Sequence, residues 1–172
     1  REYLDCTIVN FDEATFRLVP FNRKIWAKRG TKPTGKFWWS NKKANIFGAL
    51  IDGKEFYYEW YDRLNACYFI DFMKRFVQTL DKNKKYVFVF DNAPAHRAKM
   101  SKKYLGNIPN VFIEFLPPYS PQLNCIESCF KIIRHDVTNS NFFQTIDSLK
   151  SGIEEFLNGH FFTFNSSNYL SR

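Results

Sequence analysis

The sequence predicts an α/β fold: a mixed five-stranded sheet flanked by helices. Three observations carry this expectation. Tyr86-Val87-Phe88-Val89-Phe90 is apolar at every position, as a central strand buried on both faces requires. Phe69, Phe72, Met73, Phe76, Val77 and Leu80 recur at helical spacing, which makes residues 65–80 an amphipathic helix of about four turns. The elements then run three strands, helix, strand, helix, strand, helix, helix, so that early antiparallel strands precede α/β crossovers.

In chain order, residues 3–11 alternate imperfectly and read as a strand. Thr15 to Val19 reads as a second strand closed by Pro20, because proline cannot extend a sheet ladder. Residues 21–42 are basic and polar with Gly30, Pro33 and Gly35, an excursion between strands. Ala44–Ile51 is a third strand, Asp52-Gly53 a hairpin turn signal, and Glu55–Tyr61 a candidate further strand. Pro94 to Leu105 reads as one helix with Pro94 in its first turn, and Val111–Phe115 as the next strand. Residues 124–138 form a helix burying Ile126, Phe130, Ile133 and Val137. Residues 142–157 form a last helix, with Phe142, Ile146, Leu149, Ile153, Phe156 and Leu157 facing inward.

With 172 residues and 45% apolar content, the chain suits one folded domain rather than a disordered segment. Its net charge of +8 favours polyanionic partners, since each phosphate neutralised releases counterions. The four cysteines, Cys6, Cys67, Cys125 and Cys129, form no C-x-x-C pair and read as buried free thiols of a reducing compartment. No apolar run approaches the roughly 20 residues of a spanning helix, so no membrane is expected.

The chemistry concentrates in two segments. Asp91-Asn92-Ala93-Pro94-Ala95-His96 places a carboxylate at the end of the apolar run, and Leu116-Pro117-Pro118-Tyr119-Ser120-Pro121-Gln122-Leu123-Asn124-Cys125-Ile126-Glu127 places another just inside a helix start. Acids delivered by separate rigid elements into one place build a divalent-metal site for phosphate chemistry. Asp12 ends an earlier run, Thr7-Ile8-Val9-Asn10-Phe11. Each acid has a plainer structural explanation. Asp12 can be a strand-end turn acid, Asp91 a helix N-cap, and Glu127 the N3 acid of a capping-box-like Asn124-Cys125-Ile126-Glu127.

Together these segments closely resemble the catalytic domain of the Tc1/mariner and IS630-like DDE transposases. Asp12-Glu13 resembles the family's first acidic block. Lys24-Ile25-Trp26-Ala27-Lys28-Arg29-Gly30-Thr31-Lys32-Pro33 resembles its Trp-x-x-x-Gly-x-x-Pro segment, and Asn45-Ile46-Phe47-Gly48-Ala49-Leu50 its third strand. The interval from Asp91 to Glu127 is close to the family's usual one, and the match runs from about residue 4 to residue 158. One departure stands out: Cys125 occupies the position where the family usually has proline.

The resemblance implies a ribonuclease-H-like fold with Asp12, Asp91 and Glu127 holding two Mg²⁺ (or Mn²⁺) ions. It also implies DNA, as transposon ends and target, for a partner. The activity implied is cleavage at transposon ends and joining of a 3′-hydroxyl to target DNA inside the cell, by a protein that is a homodimer at full length. The family's N-terminal helix-turn-helix module has no match here, so residues 1–172 are expected to be the catalytic domain alone. A nuclease of another substrate class on the same scaffold, and a decayed copy that only binds DNA, are the rival expectations.

Around the three acids, Glu13 competes with Asp12, but adjacent strand residues face opposite ways and only one can face the metals. Asn92 either caps the following helix or hydrogen-bonds the site. His96 either meets the scissile phosphate or its water, or is a helix-surface residue. Arg23, Lys24, Lys28, Arg29, Lys32 and Lys36, interleaved with Trp26, Trp38 and Trp39, suit DNA backbone contact and base stacking. Glu127, Lys131, Arg134 and Thr138 fall on one helix stripe, where Lys131 and Arg134 could meet phosphates or simply face solvent.

Overall fold

The computed structural model describes residues 3, 5–18, 28–31, 40–118 and 120–165. Five strands form one sheet: β1 (Cys6–Arg17), β2 (Lys43–Ile51), β3 (Glu55–Tyr61), β4 (Lys85–Phe90) and β5 (Val111–Phe115). Their spatial order is β3-β2-β1-β4-β5. β1 runs antiparallel to β2 and parallel to β4, β3 is antiparallel to β2, and β5 is parallel to β4. The sheet is therefore mixed, as the sequence predicts, with a hairpin meander on one side and α/β crossovers on the other.

The first strand departs from expectation. Thr15–Arg17 do not begin a second strand; they continue β1, which runs unbroken through Asp12 and Glu13. Val19 lies outside the described residues. The acids interrupt the hydrophobic pattern but not the backbone ladder, since Asp12 pairs with Gly48 and Glu13 with Phe47. The side-chain alternation also survives. Val9 and Phe11 pack on one face, Ala14 and Phe16 on the other, and a strand needs only that alternation to stay in register.

Two helical layers cover the sheet. On one face α1 (Ala66–Thr79) starts at an Asn65 cap that accepts from the Cys67 and Tyr68 N–H groups. It buries Phe69, Phe72, Met73 and Phe76 against Val9, Phe11, Phe47, Phe88 and Phe90. The rings interlock: Phe11 stacks on Phe90 at 4.8 Å and meets Phe76 edge-on at 5.2 Å, geometries that aromatic quadrupoles favour. The opposite face carries α4 (Ile126–Ile133) and α5 (Ile146–Gly159), which pack Ile126, Phe130, Ile133, Leu149 and Ile153 against Ala14, Phe16, Ile46 and Leu50.

Three helix expectations change. Residues 94–105 are two helices, α2 (Pro94–Arg97) and α3 (Lys99–Leu105), broken at Ala98 with ψ 142°. The buried Ser101 hydroxyl donates to Ala95 O at 2.6 Å, taking a carbonyl that the break leaves without a helical partner. Beyond α4, Arg134–Thr138 winds as a π-helical turn, so the 3.6-residue stripe ends there and Thr138 becomes buried. The last helix starts only at Ile146, behind a Thr145–Ser148 capping box. That leaves Phe142 outside it and 52% exposed, while Phe143 packs against the core instead.

Candidate active site

The parallel pairing of β1 and β4 runs from Cys6↔Lys85 to Asn10↔Val89. Two residues further along each segment come Asp12, still within β1, and Asp91, just past the end of β4. Both share the parity of Asn10 and Val89, so both start on the sheet face that α4 covers. Glu127 is half-buried in the first turn of α4. The three carboxylates are electrostatic neighbours. Burial first, then Glu13, Glu127 and Asp91, hold the Asp12 carboxyl well above the usual carboxylate range. The Glu13 N–H, donating to Asp12 Oδ1 at 2.8 Å, opposes this only in part. Among the described residues no three Asp, Glu, His or Cys side chains are already closed around one point as metal ligands.

Glu127 does not sit in a capping box. The Asn124 side chain donates to Phe11 O at 3.0 Å instead of capping the helix, and α4 starts from Cys125 with no side-chain cap. The Cys125 thiol, 1% exposed, donates to Asn10 Oδ1 at 2.9 Å. Two consecutive residues therefore stitch the start of α4 to β1, at Phe11 and Asn10. Cys125 has φ −65°, the value a proline ring would impose, so the turn keeps the proline conformation without the ring. Burial pushes the Cys125 thiol up to about 11, so it is an inert structural group. The four cysteines are free, but only Cys125 and Cys129 are buried; Cys6 is half-buried and Cys67 exposed.

Close approach of α4 depends on Gly48, the partner of Asp12. A Cβ there would lie 3.0 Å from the Phe56 ring and 3.2 Å from Ile126 Cδ1. Asn10, Gly48 and Asn124 escaped the sequence reading as site residues. Their signals were available: a polar residue inside an apolar strand, a glycine inside a strand, and an asparagine ahead of a helix that need not cap it.

Glu13 and His96 lie on the α1 face. His96 is fully buried, with its ring centroid 4.7 Å from Phe69 and 5.3 Å from Phe90. It is thus neither a helix-surface residue nor free to meet a phosphate. Its Nδ1 lies 2.7 Å from Asp91 Oδ1 and its Nε2 lies 3.2 Å from Glu13 Oε2. The second contact has ion-pair distance without hydrogen-bond alignment. Burial pushes the His96 pKa down, but the hydrogen bond to Asp91 and the adjacent Glu13 and Asp91 carboxylates outweigh it and raise the pKa to about 9. For Asp91, burial pushes upward while His96 and the Ala93 N–H pull harder, so its pKa falls below the ordinary value.

Asn92 does not cap a helix. It donates to Leu116 O at 2.7 Å beyond the end of β5 and accepts from Arg97, whose guanidinium lies over the Phe115 ring. Of the basic residues expected to meet DNA, Lys28 and Arg29 lie in an exposed turn around Gly30. Arg23, Lys24, Lys32 and Lys36, with Trp26, Trp38 and Trp39, lie outside the described residues. Lys131 is exposed, whereas Arg134 is half-buried over the Phe16 ring and Thr138 is buried. The polar stripe thus reduces to Glu127 and Lys131.

A mixed sheet in order 3-2-1-4-5, with acids on its central strand, just past the neighbouring strand and on a covering helix, defines the ribonuclease-H-like class. Its likeness to solved structures agrees. The strand transfer complex of Mos1 matches with a TM-score of 0.75 at 22% identity, over 99% of this chain and 52% of that one. The catalytic domain of Mos1 mariner transposase matches with a TM-score of 0.66 at 17% identity, over 95% and 74% of the two chains. Residues 7–150 match the DDE superfamily endonuclease family, and the chain belongs to it. Among curated proteins, "Insertion element IS630 uncharacterized 39 kDa protein" of Shigella sonnei is 22% identical over 85% of this chain. The chain spans 43% of that relative's length.

Proposed function

We propose that residues 1–172 are the catalytic domain of a cut-and-paste DNA transposase, with Asp12, Asp91 and Glu127 as the metal-holding acids. The observation that carries this is the electrostatic coupling of Asp12 to Asp91 and Glu127 from three different elements, in a chain of the DDE superfamily endonuclease family. The donor set fits Mg²⁺ or Mn²⁺, which take carboxylate oxygens. A buried Asp12 crowded by three other acids is a site whose charge a cation would relieve. Asn124 Oδ1, buried without a hydrogen-bond partner, adds a further oxygen beside the start of α4. Mos1 has been crystallised as a paired-end complex with Mn and with Mg, which supports the same metals here.

Two bound ions would supply Lewis acidity to the attacking and leaving oxygens of an in-line displacement at phosphorus. The protein's part is to fix its oxygens. β1 and β4 hold Asp12 and Asp91 side by side, and the Asn124 and Cys125 ties hold Glu127 against β1. First, water attacks and a P–O bond at the transposon end breaks, releasing a 3′-hydroxyl. That hydroxyl then attacks a target phosphodiester, one P–O bond forming as another breaks. Lys28, Arg29 and Lys131 are placed for phosphate contact. DNA ends and target DNA are the partners, and a homodimer inside the cell is the working assembly.

The test is metal-dependent cleavage and strand transfer of a duplex carrying the element's end, against an RNA–DNA hybrid as control substrate. Wild type is expected to cleave and join the DNA duplex with Mg²⁺ or Mn²⁺, and Asp91→Asn to lose at least about 100-fold in rate. Equal metal-dependent rates in the two proteins would overturn the site. Preference for the hybrid would place the chain among nucleases of another substrate class.

A further inference from the structure

Asp91 has two oxygens of different standing. Oδ1 already accepts two bonds, from the Ala93 N–H at 2.9 Å and from His96 Nδ1 at 2.7 Å. Among the described residues no donor reaches Oδ2. A carboxylate oxygen offers about two acceptor directions, so Oδ1 is filled and Oδ2 is left for a ligand. The imidazole that fills it is itself fixed. Phe69 and Phe90 both pack against the ring, and Glu13 Oε2 faces its Nε2 at 3.2 Å. Glu13 Oε2 is buried and has no other partner. The carboxylate that alternation turns away from Asp12's face thus reaches Asp91 through the edge of the sheet by way of His96.

We propose that Glu13 and His96 are positioning residues, a buried carboxylate–imidazole strut that turns Asp91 so that Oδ2 alone is offered to a divalent cation. The strut rests on the assignment of Asp91 as a metal ligand. It explains two features that the three acids leave unexplained: a second acid beside Asp12 that points the other way, and a fully buried histidine on a short helix. It also assigns the break at Ala98 a use. α2 carries His96 against Phe90 at the end of β4, and the chain turns at Ala98 before α3 begins.

The experiment is Mn²⁺ binding by titration calorimetry to the full chain, with far-UV circular dichroism and metal-free thermal melting on each variant. Mn²⁺ affinity is read on folded protein, so loss of stability alone does not move it. Asp91→Asn sets the floor. His96→Phe keeps an aromatic ring against Phe69 and Phe90 but frees Asp91 Oδ1, and its Mn²⁺ affinity is expected to fall about 10–100-fold. His96→Gln can still donate to Asp91 and is expected to recover most of that loss. If His96→Phe does not fold, Glu13→Ala against Glu13→Gln makes the same comparison. Glu13→Ala is expected to weaken Mn²⁺ binding about tenfold, with Gln restoring it.

Mn²⁺ affinity within about twofold of wild type in a folded His96→Phe, or in Glu13→Ala where His96→Phe fails to fold, overturns the strut. An unaltered Mn²⁺ affinity in Asp91→Asn would instead overturn the metal site itself.

Discussion

At the scale of single residues, Asp12 is where structure and chemistry conflict most. It is 8% exposed and surrounded by carboxylates, so its charged form opposes folding unless a cation compensates it. A carboxyl whose folded pKa is raised binds its proton more tightly in the native state. Its contribution to stability is therefore full below the ordinary aspartate range near about 4 and is lost as pH rises through its raised folded value. Without metal, Asp12→Asn is expected to raise the melting midpoint at pH 7, and the gain should vanish as pH falls toward about 4. With Mn²⁺ the order should reverse, because only wild type gains the ion. Scanning calorimetry at several pH values, with and without Mn²⁺, checks both halves; a lower midpoint for Asp12→Asn without metal at pH 7 would contradict them.

Cys125 is the other decisive residue. Its thiol satisfies a buried Asn10 oxygen, and an orphaned buried acceptor costs about 1–3 kcal/mol. Cys125→Ala should therefore lower the unfolding free energy in urea by about that amount, and Cys125→Ser should lose less. Equal stability of all three proteins would mean the bond contributes nothing.

Among elements, α4 and β2 form the pair that sets the site. α4 can deliver Glu127 only if it reaches the sheet, and Gly48 is where it touches. Gly48→Ala puts a methyl 3.0 Å from Phe56 and 3.2 Å from Ile126, tighter than most packed side chains, so those neighbours must shift. Overpacking of this kind costs about 1–3 kcal/mol. Because Ile126 directly precedes Glu127, metal-dependent cleavage should fall more than stability does. Parallel urea melts and cleavage assays would show this, and full activity with unchanged stability would rule it out. The far end of the sheet has its own fixed point at Gly53, with φ +69°. There a Cβ would fall 2.0 Å from Phe164 O, while Gly53 O accepts the Phe164 N–H. The segment after α5 is thereby seated on the β2–β3 turn.

For the molecule as a whole, the excess of basic residues would govern contact with the proposed DNA partner. A net charge of +8 with exposed Lys28, Arg29 and Lys131 predicts binding dominated by phosphate contacts. For a handful of contacts, affinity for duplex DNA should fall roughly 100-fold or more between about 50 and 200 mM salt. Fluorescence anisotropy across that range measures the slope, and a flat response would exclude an electrostatic interface. The described residues contain no helix long and apolar enough to cross a membrane. The core on the α1 face packs on both β1 and β4, while on the opposite face β1 meets the α4–α5 core and β4 a smaller cluster of Val87, Val89 and Leu116.

The sequence by itself determined the sheet and α1. Tyr86–Phe90, Val111–Phe115 and the 65–80 stripe are written in local hydrophobic period, which a strand or helix cannot escape. It also singled out Asp12, Asp91 and Glu127, through their placement at element ends and the family resemblance. What it misplaced were features set by partners distant in the chain. β1 continues past its acids because β2 pairs with it. The 94–105 helix breaks where His96 is drawn inward, and the regular winding of α4 gives way to a π-helical turn at Arg134. Only the tertiary structure decided that Glu13 and His96 brace Asp91 while Asn124 and Cys125 bind α4 to β1. Those contacts join residues up to 115 positions apart, and their energy comes from satisfying buried polar groups, which local sequence periodicity does not encode.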